Sequence, residues 1–163
     1  VAGALALLKS MAAAGVRPTV LTYNNMVSAH AKATLASDAQ AWLARACAAR
    51  LQPTIASYNA AIDACARAAD RAAAEGLLWK AVKGSAQPDV VTYSSLIAAC
   101  TRAGDVARAP GWLRRLHAAN VQSDATVLGM VIGAFKQVGD ARAALERFGG
   151  ILSQRRAPRP PQL

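Results

Sequence analysis

The side chains that could carry acid–base, nucleophilic or metal chemistry are few in this 163-residue sequence, and they do not cluster. His30 and His117 have no metal-ligand spacing around them, so we expect both to be packing or surface residues. The three cysteines, Cys47, Cys65 and Cys100, form neither a CxxC pair nor a zinc spacing. No nucleophile motif and no zinc-deaminase signature occurs. The sequence therefore predicts a protein that is not an enzyme and that has no metal site and no cofactor.

Net charge indicates the class of partner. Lys and Arg number 19 against 9 Asp and Glu, a formal charge of +10, which favours nucleic acid or an anionic membrane surface. Lys32, Arg67 and Arg102 recur at a fixed step, and Lys136 lies one place before the matching Gln137. A cation is also favoured at a helix C-terminus, so a structural role explains this column equally well. Because no apolar run approaches the roughly 20 residues of a membrane span, we expect no membrane partner, and we expect no small-molecule substrate.

The basic residues recur at a fixed step because the sequence contains an internal repeat. The stretches PTVLTYNNMVSAH, PTIASYNAAIDAC and PDVVTYSSLIAAC begin at Pro18, Pro53 and Pro88, 35 residues apart. Blocks of this length beginning at residues 20, 55, 90 and 125 align columns of tyrosine, alanine and β-branched residues. Cys65 and Cys100 share one column, as expected of small buried residues. Internal repetition of this kind is typical of repeat architectures.

Each block contains two predicted helices. The first follows the proline and ends near the basic column, and a short break separates it from the second. Asp70, Asp105 and Asp140 stand where the second helix begins, and there a carboxylate can cap free N–H groups. Pro110 falls in the first turn of its helix, where we expect it to cause a slight bend.

Helix pairs that cannot bury their apolar faces alone must stack on one another. We therefore predict an all-α fold, an α-solenoid of stacked antiparallel helix pairs forming a right-handed superhelix of about nine helices. The predicted units are the second helix of a truncated repeat (1–19), three repeats (20–54, 55–89 and 90–124), a degenerate repeat (125–159) and the end of a basic, proline-rich tail (160–163). Both ends suggest a fragment of a longer chain.

The block PDVVTYSSLIAACTRAGDVARA closely resembles the consensus of pentatricopeptide repeat proteins, in their plain class of uniform 35-residue repeats. The resemblance covers nearly the whole chain and is weakest from Ala125, where Val127, Leu128 and Gly129 replace Thr-Tyr-Asn. The structural alternative is the tetratricopeptide repeat, with a 34-residue period and a different signature. That fold would imply a protein-binding scaffold.

The resemblance implies that each repeat reads one base of single-stranded RNA through two side chains, while a third side chain supports the base. The implied base-reading pairs, with their base-supporting residues, are Asn24 and Thr54 with Leu21, Asn59 and Asp89 with Ala56, and Ser94 and Asp124 with Val91. The resemblance further implies phosphate contacts by Lys32, Arg67, Arg102 and Lys136. Gly129, Arg159 and Thr126 at the matching positions of the last repeat depart from the pattern, so no base is assigned to them.

Physical chemistry is compatible with these roles. A supporting residue and the first base-reading residue are three positions apart on one helix and so share a face. The second base-reading residue falls in the loop before the next repeat. The alternative is that Asn, Ser, Thr and Asp bond backbone groups at helix starts. For an RNA running 5′ to 3′, donor and acceptor matching and side-chain size predict the bases pyrimidine–U–G.

The sequence thus predicts a sequence-specific single-stranded RNA-binding protein that acts in organellar RNA processing, stabilisation or translation. The resemblance implies a mitochondrial or plastid location. Protein partners are expected to bind through regions outside this sequence. Two alternatives stay open, namely a tetratricopeptide-like scaffold and the RNA-recognition part of a truncated RNA-processing enzyme.

Overall fold

The computed structural model describes residues 2–122 and 125–137. Within these ranges the chain forms eight α-helices and one 3₁₀ helix, without a β-strand. The elements are α1 (Ala2–Ala13), α2 (Val20–Lys32), α3 (Ala36–Ala48), α4 (Ile55–Arg67), α5 (Arg71–Lys83), α6 (Val90–Arg102), the 3₁₀ helix (Val106–Arg108), α7 (Ala109–Ala118) and α8 (Ala125–Gln137). We call α2, α4, α6 and α8 the first helices, and α1, α3, α5 and α7 the second helices. None of the helices described is long and apolar enough to cross a membrane.

Successive helices pack as antiparallel pairs. Turns of three residues join α2 to α3 and α4 to α5, so the two helices of each pair lie side by side. Each first helix also contacts the next first helix, from α2 through to α8, and α3 and α5 pack against the first helix that follows them. The result is a stack of helix pairs in two layers, which confirms the predicted all-α solenoid.

A single core runs through the stack. Small and aliphatic columns of the repeat supply it: Ile62 and Ile97 are fully buried, as are Ala74 and Ala109 on the second helices. Leu43, Leu78 and Leu113 fill the space between neighbouring pairs. Cys65 and Cys100 are also fully buried, as their shared column predicted.

Every helix from α1 to α7 ends in the same way. The residue two places after the last helical residue has a positive φ of 55° to 75°, and its N–H group and the next one bond back to carbonyls of the final turn. These residues are Gly15, Thr34, Arg50, Ala69, Ser85, Gly104 and Asn120. The bond pattern is the Schellman motif, which glycine favours because other residues are strained at positive φ. Five of the seven positions lack glycine, so these turns carry local strain.

The expected capping carboxylates behave differently from one another. Asp70 caps α5 as predicted, since its Oδ1 accepts from the Ala73 N–H at 3.0 Å. Asp105 makes no such bond, which corrects the prediction, and it forms ion pairs with Arg108 at 3.0 Å and Arg71 at 3.4 Å. Asp140 lies outside the described residues.

Pro110 explains the difference at Asp105. An α-helix beginning at Val106 would need a bond from the N–H of residue 110 to the Val106 carbonyl, and proline has no N–H. The chain instead makes the 3₁₀ turn, and α7 begins only at Ala109, which leaves it ten residues long where α3 and α5 have thirteen. Pro110 thus lies in the first turn of its helix, as predicted, and it delays the start of that helix.

Replacing Ala69 by glycine should raise the free energy of unfolding by about 1 kcal/mol, because glycine removes the cost of a left-handed residue. Ala69 has a φ of 55°, and Gly104 occupies the same place in the next repeat. Urea denaturation followed by circular dichroism measures the change.

The matched control is Ala68→Gly. Ala68 has a φ of −78°, where glycine brings only its entropic cost of about 0.5 to 1 kcal/mol. A stabilisation by both glycines, or by neither, would contradict this account of the helix ends.

Candidate nucleic-acid interface

One side of the first helices carries the residues singled out by the sequence. We call this side the first-helix face and define it by the predicted base-supporting, base-reading and basic residues of α2, α4 and α6. Leu21 at 67% and Val91 at 50% are exposed, and Ala56 is exposed as well. Each lies three residues before a base-reading residue on the same helix. Exposed apolar side chains at these places give a flat surface against which a base could pack.

Asn59 and Asp89 are brought together, as the repeat pattern predicted. Asn59 Nδ2 donates to Asp89 Oδ1 at 3.0 Å. Asp89 is the N-cap of α6, so the second base-reading position is the residue immediately before a first helix. Asp89 is half-buried, whereas Asn59 is only 8% exposed. The pair thus places an amide donor next to a carboxylate acceptor between α4 and α6.

Asp89 also closes the start of α6. Its Oδ1 accepts from the Thr92 N–H at 2.9 Å, and the Thr92 hydroxyl accepts from the Asp89 N–H at 3.1 Å, which is a capping box. The carboxylate that the sequence predicts to read a base is therefore also the cap of a helix. Asp89 Oδ1 accepts three hydrogen bonds, from the Asn59 amide, the Thr92 N–H and the Thr92 hydroxyl.

These hydrogen bonds keep Asp89 ionised. Burial alone would raise the pKa of this carboxyl, but the bonds donated by Thr92, Asn59 and the Val91 backbone favour the charged form and outweigh it. The pKa of Asp89 therefore lies below its usual value. At neutral pH this side chain can only accept hydrogen bonds.

Asn24 and Thr54 meet indirectly. The Ser57 hydroxyl donates to Asn24 Oδ1 at 2.5 Å and lies 3.2 Å from the Thr54 hydroxyl. Thr54 is the N-cap of α4, the place that Asp89 holds in the next repeat. The structure therefore links both members of this predicted pair through a residue of the following repeat.

The third predicted pair is described only in part. The Ser94 hydroxyl donates to the Val90 carbonyl at 2.8 Å and to the Val91 carbonyl at 3.0 Å, both in its own helix. Asp124 lies outside the described residues. A cleft of about 320 Å³ between α6 and α8 is lined by Val91, Ser94 and Arg102 among others, so these predicted residues border one cavity.

The basic residues predicted to contact phosphates differ in their interactions with the rest of the protein. Arg67 pairs with Asp63 of its own helix and donates to the Ala31 carbonyl at 2.6 Å, close to the end of α2. Arg102 is exposed and borders the cleft between α6 and α8. Lys32 and Lys136 are also exposed. Arg67 thus fastens one repeat to the previous one, while Arg102 projects into the cleft.

The last repeat does not continue this pattern. Thr126 and Gly129 are exposed on α8, and Arg159 lies outside the described residues. Glycine offers no side chain with which this repeat could read a base.

His30 and Cys65, two of the residues considered for chemistry, are buried. His30 is buried, and its Nδ1 lies 2.7 Å from the Met26 carbonyl, while its Nε2 accepts from the Trp42 indole at 3.3 Å. Burial raises the pKa of the Cys65 thiol to about 11, and the nearby Asp70 acts in the same direction, which leaves it unreactive at neutral pH. Across residues 2–122 and 125–137, no group of His, Cys, Asp or Glu side chains has the arrangement of a metal site.

Sequence reasoning missed Ser57 and Thr92. Both lie immediately before a tyrosine of the repeat, and both bond the predicted base-reading residue of the preceding repeat. The signal was present, because the same column holds Thr22, Ser57, Thr92 and Val127, three of them hydroxyl residues. Nothing in the spacing alone says that these hydroxyls point at the neighbouring repeat.

Comparison with known proteins agrees with this architecture. The family model described as the pentacotripeptide-repeat region of PRORP matches residues 1–154. No curated protein sequence matches the chain.

Solved structures share the fold. The pentatricopeptide repeat protein PPR10 from maize superposes with a TM-score of 0.80 at 23% identity, over 94% of this chain and 22% of that chain. PPR10 in complex with an 18-nt psaJ RNA element gives 0.71 at 24% identity, over 93% and 22%. The PPR domain of Arabidopsis thaliana protein-only RNase P 1 (PRORP1) in complex with tRNA gives 0.75 at 15% identity, over 97% and 83%.

The chain therefore spans about a fifth of PPR10 and most of the PRORP1 domain. The 35-residue period, the paired helices and the family match over residues 1–154 agree with one another and not with a tetratricopeptide protein. This chain belongs to the pentatricopeptide repeat family.

Proposed function

We propose that this chain binds single-stranded RNA along the first-helix face and reads one base per repeat. The observation that carries the proposal is the Asn59–Asp89 pair, an amide donor beside an ionised acceptor. Uracil presents an N–H donor next to a carbonyl acceptor on its Watson–Crick edge, which this pair complements. Exposed Leu21 and Val91 at the supporting positions, and the net charge of +10, are what such a surface requires.

Two of the similar structures are RNA complexes, which supports the proposal. PPR10 was solved with an 18-nt psaJ RNA element and the PRORP1 domain with tRNA. We further propose that the chain acts by binding and without catalysis of its own, in RNA processing, stabilisation or translation in a mitochondrion or plastid.

Binding to short RNAs of equal composition tests the function. One oligomer carries the order C–U–G and another carries the same bases in the order G–C–U, so that each of the three repeats meets a different base. The first should bind more tightly, by about fivefold for each hydrogen-bonded base that is lost. Equal affinity for both oligomers would contradict sequence reading, and no affinity for either would contradict RNA binding.

A second candidate function rests on the family match. The matching model describes the repeat region of PRORP, and the similar domain of PRORP1 was solved with tRNA. The chain would then be the RNA-recognition part of a larger RNA-processing enzyme. Tighter binding to a folded tRNA than to any single-stranded oligomer would favour this candidate over the first.

Asp89→Asn should move the preference of its repeat from U towards C. The amide oxygen can keep the bonds that Asp89 Oδ1 now accepts, so the new amide nitrogen takes the place of Oδ2 and offers a donor. Cytosine has an acceptor where uracil has its N–H, so the ratio of U to C affinity should fall by about fivefold. Fluorescence anisotropy on two RNAs that differ only at this base measures the ratio.

Asp70→Asn is the matched control, because Asp70 also caps a helix but lies at the far end of α4 from the pair. An unchanged ratio in Asp89→Asn would mean that Asp89 does not read the base.

The preference for U should stay constant between pH 5 and pH 8, because the pKa of Asp89 is below its usual value near 4. A carboxyl with a lowered folded-state pKa stabilises the protein above the unfolded-state pKa and loses that contribution as the pH falls through the folded-state pKa. The stability that Asp89 contributes should therefore disappear only below about pH 4. Anisotropy and thermal melts across this range test both statements, and a change of preference near pH 6 would contradict them.

Salt dependence should test both arginines as phosphate contacts, and melting temperature should distinguish them. Arg102→Ala should reduce the slope of log affinity against log salt by about 0.7, the value for one phosphate contact on a single strand, with base preference unchanged. Arg67→Ala should also flatten the slope, and because Arg67 bonds Ala31 of the previous repeat, it should lower the melting temperature as well. Arg114→Ala on the exposed side of α7 is the control. Unchanged slopes in both variants would assign these residues to helix ends only.

A further inference from the structure

Two buried hydroxyl groups lie between successive first helices, each against the amide oxygen of an asparagine. Ser57 Oγ donates to Asn24 Oδ1 at 2.5 Å, and Thr92 Oγ1 donates to Asn59 Oδ1 at 2.6 Å. Ser57 is 3% exposed and Thr92 is fully buried. Neither hydroxyl is therefore accessible to RNA, but each contacts a side chain proposed to read a base.

The surroundings of Asn59 leave its amide one compatible orientation. A carboxylate only accepts hydrogen bonds, so the Asn59 nitrogen must face Asp89 and the Asn59 oxygen must face Thr92. The Thr92 hydroxyl has one hydrogen and two acceptors within reach, Asn59 Oδ1 at 2.6 Å and Asp89 Oδ1 at 3.0 Å, and the contact with Asn59 is the shorter of the two. Turning the amide over would set its oxygen against the carboxylate. The orientation of the Asn59 amide is thus decided by its neighbours.

We propose that Ser57 and Thr92 are positioning residues that set the orientation of the base-reading amide in the preceding repeat. The inference rests on the proposed function. In this orientation the Asn59 amide offers N–H groups beside the acceptor Asp89, the order that uracil complements. A turned amide would offer two acceptors side by side and lose that match. The specificity of a repeat is then completed by a hydroxyl that belongs to the next repeat.

The third repeat supports the link between asparagine and hydroxyl. Val127 occupies the column of Ser57 and Thr92, and a valine side chain has no hydroxyl. The first base-reading position of the preceding repeat is Ser94, and the Ser94 hydroxyl donates to carbonyls of its own helix, α6. Asn24 and Asn59 therefore each bond a hydroxyl of the next repeat. The matching residue for Ser94 is Val127, which has no hydroxyl, and Ser94 is positioned by its own helix.

Thr92→Val tests the proposal, because valine has nearly the same shape without the hydroxyl. The preference for U over C at the base facing Asn59 should fall by about fivefold, while the pyrimidine preference at the base facing Asn24 stays as in wild type. Thr92→Ser restores the hydroxyl and should restore the preference. The matched control is Thr101→Val, since the Thr101 hydroxyl bonds only the Ile97 carbonyl of its own helix among the described residues.

The variant Ser57→Ala distinguishes a loss of positioning from a general loss of stability. This variant should weaken the preference at the base facing Asn24 and leave the base facing Asn59 unaffected, the reverse of Thr92→Val. All measurements are made at a temperature where circular dichroism shows each variant folded. The proposal is overturned if both variants keep the wild-type preferences, or if each variant loses both preferences equally.

A measurement without RNA separates this inference from the proposed function. If wild type shows no base preference, the proposed function fails, and the positioning role is then decided by ¹⁵N relaxation of the Asn24 side-chain amide. Ser57→Ala removes the hydrogen bond to Asn24 Oδ1, so the amide should become measurably more mobile on the nanosecond timescale. An unchanged Asn24 amide in this variant would overturn the positioning role whether or not RNA binds.

Discussion

The structure depends on burial between neighbouring repeats, because no single helix pair here can bury its own apolar surface. Ile62, Ile97, Ala74 and Ala109 are fully buried between pairs. Burial of such side chains is favourable by roughly 1.5 to 3 kcal/mol for a large aliphatic residue, and it requires the neighbouring pair to be in place. Stacking also holds the first helices in contact from α2 to α8. That contact is what aligns polar residues 35 positions apart into one face.

The junction between repeats joins folding to the proposed recognition of RNA. Asp89 closes α6 through Thr92 and at the same time accepts from Asn59 of the previous repeat. A polar group buried here without a partner would cost about 1 to 3 kcal/mol, so the network is stable only when every member is satisfied. Among the described residues, no buried side-chain nitrogen or oxygen lacks a partner. A preorganised pair of this kind has little freedom left to lose when a ligand binds.

Ion pairs connect the starts of two successive second helices. Glu75 and Asp105 pair with Arg71 and Arg108 at the starts of the second helices, and Arg71 and Arg108 belong to successive repeats. Partly exposed pairs such as these contribute little singly, and here they form a network across one junction. Arg71 and Arg108 are therefore engaged in ion pairs, whereas Arg102 on the first-helix face is exposed.

The sequence by itself determined the period, the two helices of each repeat and the columns that form the core, since these follow from local propensity and a repeated pattern of burial. It also placed Asn59 and Asp89 at one site, because a 35-residue step carries equivalent residues to equivalent places. Only the tertiary structure decided that Thr92 bonds Asn59, that Arg67 bonds Ala31, and that Asp105 forms ion pairs where a cap was expected. Each of these contacts depends on the distance and angle between two packed elements, or on the delayed start that Pro110 imposes on α7. A linear pattern records which residues recur, but hydrogen bonds require a direction, and packing supplies it.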